Sequence, residues 1–402
     1  MRIAFISYWT CPRTRLGVLK SGGMNVYLFN LANALNKLNV HVDIFTRCHR
    51  EKHESVVYLN KRVCLIHLPI NGNNHYYQTQ VFAQKVLRYI KGKNLKYNLL
   101  HAHYFYSGLS ALTLKDSLNI PLIQSFHTLA IMKQKYAGIL DPDRIKAEKE
   151  IVIKSDALLA ATEFEKQDLV DYYRADPRKI YVINPGVNRH IFKPLDKNGS
   201  RQTLKLPLDK NLILFVGRID PIKGLNLLLE AVSRLSNKHS DFRRNNRLLI
   251  IGGDLNIRSH SSDREGAKIL KVVRSKNMTG FTEFLGSRPH NRLPLYYSAA
   301  DVIVLPSVYE SFGLVILEAF ACASCVLASA VGGLEYLVKD GRNGRLFKNG
   351  SINDLSSKLN GLITDGNVRK KLSTAAYKTS RKFNWEDQAV KIVSLYKKLS
   401  QA

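Results

Sequence analysis

Nothing in this 402-residue chain approaches the ~20 consecutive apolar residues that a membrane-spanning helix requires. The apolar run from Met1 to Tyr8 is too short for the core of a secretory leader and reads as a first strand, so the expected location is cytoplasmic. Cysteine is scarce: Cys11, Cys48, Cys64, Cys322 and Cys325 are odd in number and scattered, which excludes a disulfide framework and points to reduced thiols. Cys322-x-x-Cys325 has no second Cys or His pair at zinc-site spacing and reads as two small core residues. A G-x-G-x-x-G dinucleotide fingerprint is also missing. Acid is in short supply, 32 Asp and Glu against 61 Lys and Arg, for a formal net charge of +29. Such an excess attracts nucleic acid, anionic lipid or a polyanionic substrate. It is spread evenly, however, with net +13 over residues 1–190 and net +16 over residues 191–402. A nucleic-acid protein more often concentrates its charge and interleaves aromatics with it, so that class is the weaker reading and no nucleic-acid partner is expected.

Strand and helix patterns alternate from end to end, seven strands between Ile3 and Ile183 and six between Leu212 and Phe347. That alternation is the mark of parallel sheets covered by helices, an α/β class. Length and an apolar content of 45% suit two domains, each with its own core. Residues 184–210, with three Pro and two Gly, read as the linker. The expected layout is a first domain over 1–190, a second over 191–384, and a final segment, 385–402, whose amphipathic helix returns to the first domain. Two open sheets of this kind place a ligand in a cleft beyond their strand ends.

The most informative stretch is Pro306 to Ala319, which sets Glu310 and Glu318 eight residues apart across a strand-to-helix junction. The run Asp301 to Leu305 reads as a buried strand, and a helix is expected over 312–321. Gly313, Leu314 and Val315 then offer backbone N–H groups at a helix N-terminus, where an anion is favoured. A carboxylate repels a phosphate, so both glutamates should face hydroxyls, and a nucleotide sugar supplies two sets of them. A second junction carries Arg218 and Lys223, five residues apart, suited to a diphosphate and to charge that grows on a leaving nucleotide. In the first half, Gly22 and Gly23 open a helix after a long loop, and His127 ends a strand pattern. His101 and His103 share one face of a strand without a third metal ligand and read as structural. Asp141-Pro142-Asp143 reads as a helix-start turn, not a metal-binding acidic pair.

Together these residues resemble retaining glycosyltransferases of family 4, whose GT-B architecture is two facing Rossmann-like domains with an interdomain cleft. The resemblance runs from Gly22-Gly23-Met24-Asn25-Val26-Tyr27 through His101-Ala102-His103-Tyr104, Phe126-His127-Thr128, Asn184-Pro185-Gly186-Val187 and Val216-Gly217-Arg218 to Glu310, Glu318 and Val331-Gly332-Gly333-Leu334. It implies a nucleoside-diphosphate sugar donor, a hydroxyl acceptor, no cofactor and no metal. Arg218 and Lys223 would bind the diphosphate, Glu318 the ribose and Glu310 the transferred sugar. Gly22 and Gly23 would approach the donor phosphate, and His127 would contact the sugar. The nearest subgroup is similar to the mycothiol glycosyltransferases, which act on inositol phosphate, with sucrose-phosphate-synthase-like enzymes next. Asn25, Tyr104, Thr128 and Arg144 match its acceptor positions. A lysine expected in the Gly72–Tyr77 loop is replaced by Asn73, Asn74 and His75, and Ala323 and Cys325 stand where the family has Gly and Pro. The alternative keeps the chemistry and moves it to an anionic membrane surface, with a lipid-linked or cell-surface glycan as acceptor.

Overall fold

The computed structural model describes residues 1–14, 22–48, 55–253 and 264–401, in two units. Met1–Thr14, Gly23–Pro185 and the segment from Trp385 form the first; Gly22 and Gly186–Asn384 belong to the second.

The first unit is built on an eight-stranded sheet. Its strands are β1 (Arg2–Ser7), β2 (His41–Cys48), β3 (Ser55–Asn60), β4 (Val63–Pro69), β5 (Leu99–His103), β6 (Leu122–Ser125), β7 (Ala157–Ala160) and β8 (Ile180–Val182). They lie in the order β3-β4-β2-β1-β5-β6-β7-β8, and every pair is parallel except β3 with β4. The central strands are buried on both faces, as strands covered by helices must be. The edge strand β3 is absent from the sequence expectation, because its residues alternate between half-buried and exposed and offer little apolar signal. The C-terminal helix Trp385–Ser400 packs Trp385, Ile392, Leu395 and Tyr396 into this unit's core beside Phe5, Leu28 and Leu31. Each such side chain contributes about 1.5–3 kcal/mol by leaving water.

The second unit carries six parallel strands, β9 (Asn211–Val216), β10 (Asn246–Ile251), β11 (Thr282–Gly286), β12 (Val302–Leu305), β13 (Val326–Ser329) and β14 (Arg345–Phe347). Their order is β11-β10-β9-β12-β13-β14. Counted within the unit this is 3-2-1-4-5-6, so the winding reverses between β9 and β12 and opens a crevice at their carboxyl ends. The linker expectation over 184–210 needs correction, since Lys197–Leu204 is a helix of this unit. Its Arg201 is buried, bonded to Asp301 Oδ2 at 2.7 Å and to the Ala299 carbonyl at 3.0 Å. A polar helix held by one buried arginine has no apolar stripe to betray it.

Candidate active site

The two chemical junctions of the second unit meet at its reversal point. After β9 the chain runs through Gly217 and Arg218 into a short 3-10 turn, Pro221–Lys223, capped by Asp220, whose side chain accepts from the Ile222 amide. Gly224 follows at φ 67, and a Cβ there would stand 1.9 Å from the Pro306 carbonyl oxygen. Only glycine allows the β9 loop to lie so close to the β12 loop. The Val308 amide closes the join by donating to the Ile222 carbonyl at 2.8 Å. Lys223 is thereby carried to Glu310, with Nζ 2.5 Å from Oε2 and both side chains 19% exposed. Arg218 pairs with Asp220 at 3.0 Å. Gly22, from the same unit, has its Cβ direction 3.7 Å from the Arg218 side chain, while Gly23 starts the first unit's helix Gly23–Lys37. Ser21 lies outside the described residues.

Glu310 is fixed through its backbone. Its carbonyl accepts from the Gly333 amide at 2.9 Å, and a Cβ on Gly333 would stand 2.3 Å from Ser311 O and Phe312 Cα. The following helix begins at Leu314, two residues later than the sequence pattern indicates, because Gly313 takes the cap position at φ 95. The amides of Leu314 and Val315 are its first-turn donors, at the positive end of the helix dipole.

Glu318 sits on that helix, buried, with both oxygens engaged: His290 Nε2 is 2.6 Å from Oε1 and the Tyr297 hydroxyl 2.9 Å from Oε2. Burial, with the carboxylate beside it, holds the Tyr297 hydroxyl well above the ordinary phenol range, so it remains a donor. Each carboxylate oxygen keeps a second lone pair for a ligand hydroxyl. His290 and Tyr297 are absent from the sequence reading. They lie 28 and 21 residues before Glu318, and no local pattern links them to it.

The first unit brings Tyr104, Thr128 and Arg144 together around one guanidinium. Asp141 caps the helix Pro142–Lys154, accepting from the Arg144 amide at 3.1 Å, as a helix-start turn should. From that helix Arg144 Nη2 donates to Thr128 O at 2.6 Å and Thr128 Oγ1 at 3.0 Å, and Nη1 donates to the Tyr104 hydroxyl at 3.2 Å. Its Nε donates to Glu148 Oε1 at 2.8 Å, and that carboxylate also accepts from the Ala130 amide and the Tyr173 hydroxyl. Tyr104 stands at φ 75, a strained position for a tyrosine, of the kind found at ligand sites. Beside it is a cavity of about 210 Å³ lined by Trp9, Tyr104, Tyr106, Lys133, Asp141 and Arg144, among others. Trp9 stacks on Tyr106 at 5.1 Å. Lys133 and Trp9 are additions to the residues nominated from sequence.

Asn25 is buried and its amide donates to Thr10 Oγ1 at 2.7 Å and to the Cys11 carbonyl at 2.6 Å, which anchors the loop after β1. Asn74, in the loop where a lysine was expected, caps the helix His75–Gly92 instead. His127 follows β6 at φ 61, its Nε2 3.1 Å from His103 Nδ1. Ala323 is left-handed at φ 54, which explains why glycine suits that position. The strand β13 forms with Cys325 before it, buried, its thiol pushed up to about 12 by burial.

Known proteins resemble this chain in sequence and in fold. Residues 21–190 match the family described as Glycosyltransferase Family 4, and residues 196–379 match Glycosyl transferases group 1. The chain is 34% identical over 410 residues to the D-inositol 3-phosphate glycosyltransferase of Corynebacterium glutamicum (strain R), an overlap of 98% of this chain and 96% of that one. It resembles the sucrose-phosphate synthase of Thermosynechococcus elongatus with a TM-score of 0.90 at 29% identity, covering 99% and 98% of the two chains. The fold is shared with Anabaena HepE in complex with UDP-glucose, at a TM-score of 0.76 and 18% identity over 98% of this chain and 99% of that one. With two Rossmann-like α/β domains of the GT-B type, this chain is a glycosyltransferase and belongs to glycosyltransferase family 4.

Proposed function

We propose that the enzyme moves a hexosyl group from a nucleoside-diphosphate sugar, foremost a UDP-sugar, to a hydroxyl of a phosphorylated polyol or sugar, with retention at the anomeric carbon and without a metal. The observation that carries this reading is the convergence of Arg218, Lys223, Glu310 and the Leu314 and Val315 amides at the reversal point of the second sheet. Guanidinium, ammonium and amides there supply the positive charge that a departing diphosphate needs. Glu318, held by His290 and Tyr297, takes the ribose hydroxyls. Gly22 and Gly23 admit the phosphate, and His127 touches the sugar.

Diphosphate binding exchanges partners in this scheme. Lys223 turns from Glu310 to phosphate oxygen, and Glu310 becomes free to accept from sugar hydroxyls. The bond from the anomeric carbon to the diphosphate oxygen breaks, the acceptor oxygen bonds to that carbon on the same face, and its proton passes to the leaving phosphate. No side chain is needed as nucleophile.

Arg144, Tyr104 and Lys133 give the first unit's pocket its anion-binding character, Thr128 steadies the Arg144 guanidinium, and Trp9 gives the pocket an apolar wall for a ring. The names of the relatives support a phosphorylated acceptor: one glycosylates inositol 3-phosphate and the other makes sucrose phosphate. The test is a transfer panel with EDTA present, crossing UDP-, GDP- and ADP-sugars with inositol phosphate, hexose phosphates and their unphosphorylated forms. Retained product from one donor on a phosphorylated acceptor is expected. Transfer only to lipid-linked acceptors in vesicles would contradict the acceptor assignment.

A further inference from the structure

The helix Ala130–Ala137 brings Ala130 and Lys133 to the wall of the first unit's cavity, yet Leu129, in its N-cap position, gives its first amides no side-chain acceptor. Those donors must be met from elsewhere. The Ala130 amide donates to Glu148 Oε2 at 2.9 Å and the Ile131 amide to the Tyr173 hydroxyl at 3.1 Å, and Tyr173 itself donates to Glu148 Oε2. Burial, with the carboxylate beside it, raises the Tyr173 hydroxyl well above the ordinary phenol range and keeps it a donor. Glu148 thus caps this helix from 18 residues further along the chain.

The other oxygen of the same carboxylate, Oε1, accepts from Arg144 Nε at 2.8 Å. Both side chains are buried, and Arg144 lines the same cavity. Tyr104 and Thr128 take three more of the guanidinium's hydrogens, and the second N–H of Nη1 has no acceptor among the described residues. One carboxylate therefore stands behind both cations of the pocket: it grips Arg144 directly and holds the start of the helix that carries Lys133.

Two roles fit a buried acid in this place, and they have opposite signs. As a charge balance, Glu148 weakens the pull of Arg144 on an anion, so its loss should tighten anion binding. As a brace, it fixes where the two cations stand, so its loss should loosen binding. The bond pattern favours the brace, because the two oxygens are divided between the two helices that bear the cations, which charge balance alone does not require. We propose that Glu148 is a positioning residue for acceptor binding, setting the spacing of Arg144 and Lys133 against a phosphoryl group. This rests on the reading above in which the pocket takes a phosphorylated acceptor.

Glu148→Gln leaves one acceptor oxygen where the carboxylate had two, so either the guanidinium or the helix start loses its bond. The KM for inositol 3-phosphate, or for the hexose phosphate that the transfer panel selects, should rise about tenfold, while the KM for the unphosphorylated compound and the affinity for UDP stay within about twofold. A fall in KM, no change, or an equal rise for both compounds overturns the proposal. If Glu148→Gln does not fold, Tyr173→Phe takes its place: it keeps the pair of Glu148 with Arg144, removes the acceptor of the Ile131 amide, and should raise the same KM about threefold. An unchanged KM there overturns the proposal.

Hydrogen exchange gives an arm that needs no substrate. The Ala130 and Ile131 amides should exchange faster in the variant than in the wild-type chain, and unchanged exchange overturns the brace whatever the acceptor is. A wild-type chain that transfers to no phosphorylated compound overturns the acceptor reading instead, so the two failures are separable.

Discussion

At the carboxyl ends of β9 and β12 the charges meet as half-open pairs, Lys223 with Glu310 at 19% exposure each and Arg218 with Asp220 at 31% and 30%. At the corresponding ends of β5 and β6 the first unit carries neutral histidines, and its main ion pair, Arg144 with Glu148, is sealed at 4% and 0%. Both sheets share the same central winding, so the contrast lies in what the strand ends carry. A partly exposed pair holds its partners weakly and can trade one for a ligand. A sealed pair does not trade partners, and losing one member strands a charge. The pairs at the ends of β9 and β12 can exchange partners, whereas the pair beside β5 and β6 holds its guanidinium in place.

That contrast breaks most sharply at Arg144. Arg144→Met leaves Glu148 unpaired and should destabilise the protein by about 3–5 kcal/mol in urea unfolding. Adding Glu148→Gln should recover part of the loss by removing the stranded charge. Next comes the exchangeable pair: Lys223→Ala should lower transfer by about 10²–10³-fold with little change in unfolding midpoint, since it removes one stabiliser of the leaving group. A loss of stability as large as that of Arg144→Met would erase the distinction between the units.

Acid sharpens the contrast further. The histidines of the first unit are neutral when folded, His101 and His127 at about 3 and His103 well below its ordinary value, but they titrate near 6.5 when unfolded. Acidification below 6.5 therefore protonates the unfolded state first and stability falls. Burial raises Glu165 to about 7 and Asp168 to about 6, and these two act in the opposite sense, with stability lost as pH rises from ~4 towards those values. Three histidines against two carboxylates, one of them partly exposed and so screened by solvent, leave a net loss of stability from 6.5 down to ~4.5. Hydrogen exchange in β5 and β6 should quicken over that range before exchange in β9 and β12, and Glu165→Gln should steepen it.

The smallest effect is expected at Ala323. Replacing it with glycine relieves a left-handed alanine and adds chain entropy to the unfolded state, for a net gain of about 0.5 kcal/mol in unfolding free energy.

The alternation of apolar runs with helical patterns carried most of the architecture, because buried parallel strands write a continuous apolar signal. Arg218, Lys223 and Glu310 were legible for a related reason: short loops at strand ends bring motif residues together without long-range information. What could not be read was non-local. Glu318 was nominated, but its holders His290 and Tyr297 come from another turn and helix, and the polar helix around Arg201 looked like a linker. The pairing of Lys223 with Glu310, each assigned a separate ligand group from sequence, emerges only when Gly224 lets their two loops touch.

The central claim is that a nucleoside diphosphate lodges at the β9 and β12 ends and draws Lys223 away from Glu310. Calorimetric titration of the wild-type chain and of Lys223→Met with UDP, GDP and ADP tests it most directly. The account predicts saturable heat with at least one nucleotide and affinity weakened at least tenfold in the variant. No heat with any of the three, or equal affinity in both chains, would contradict it.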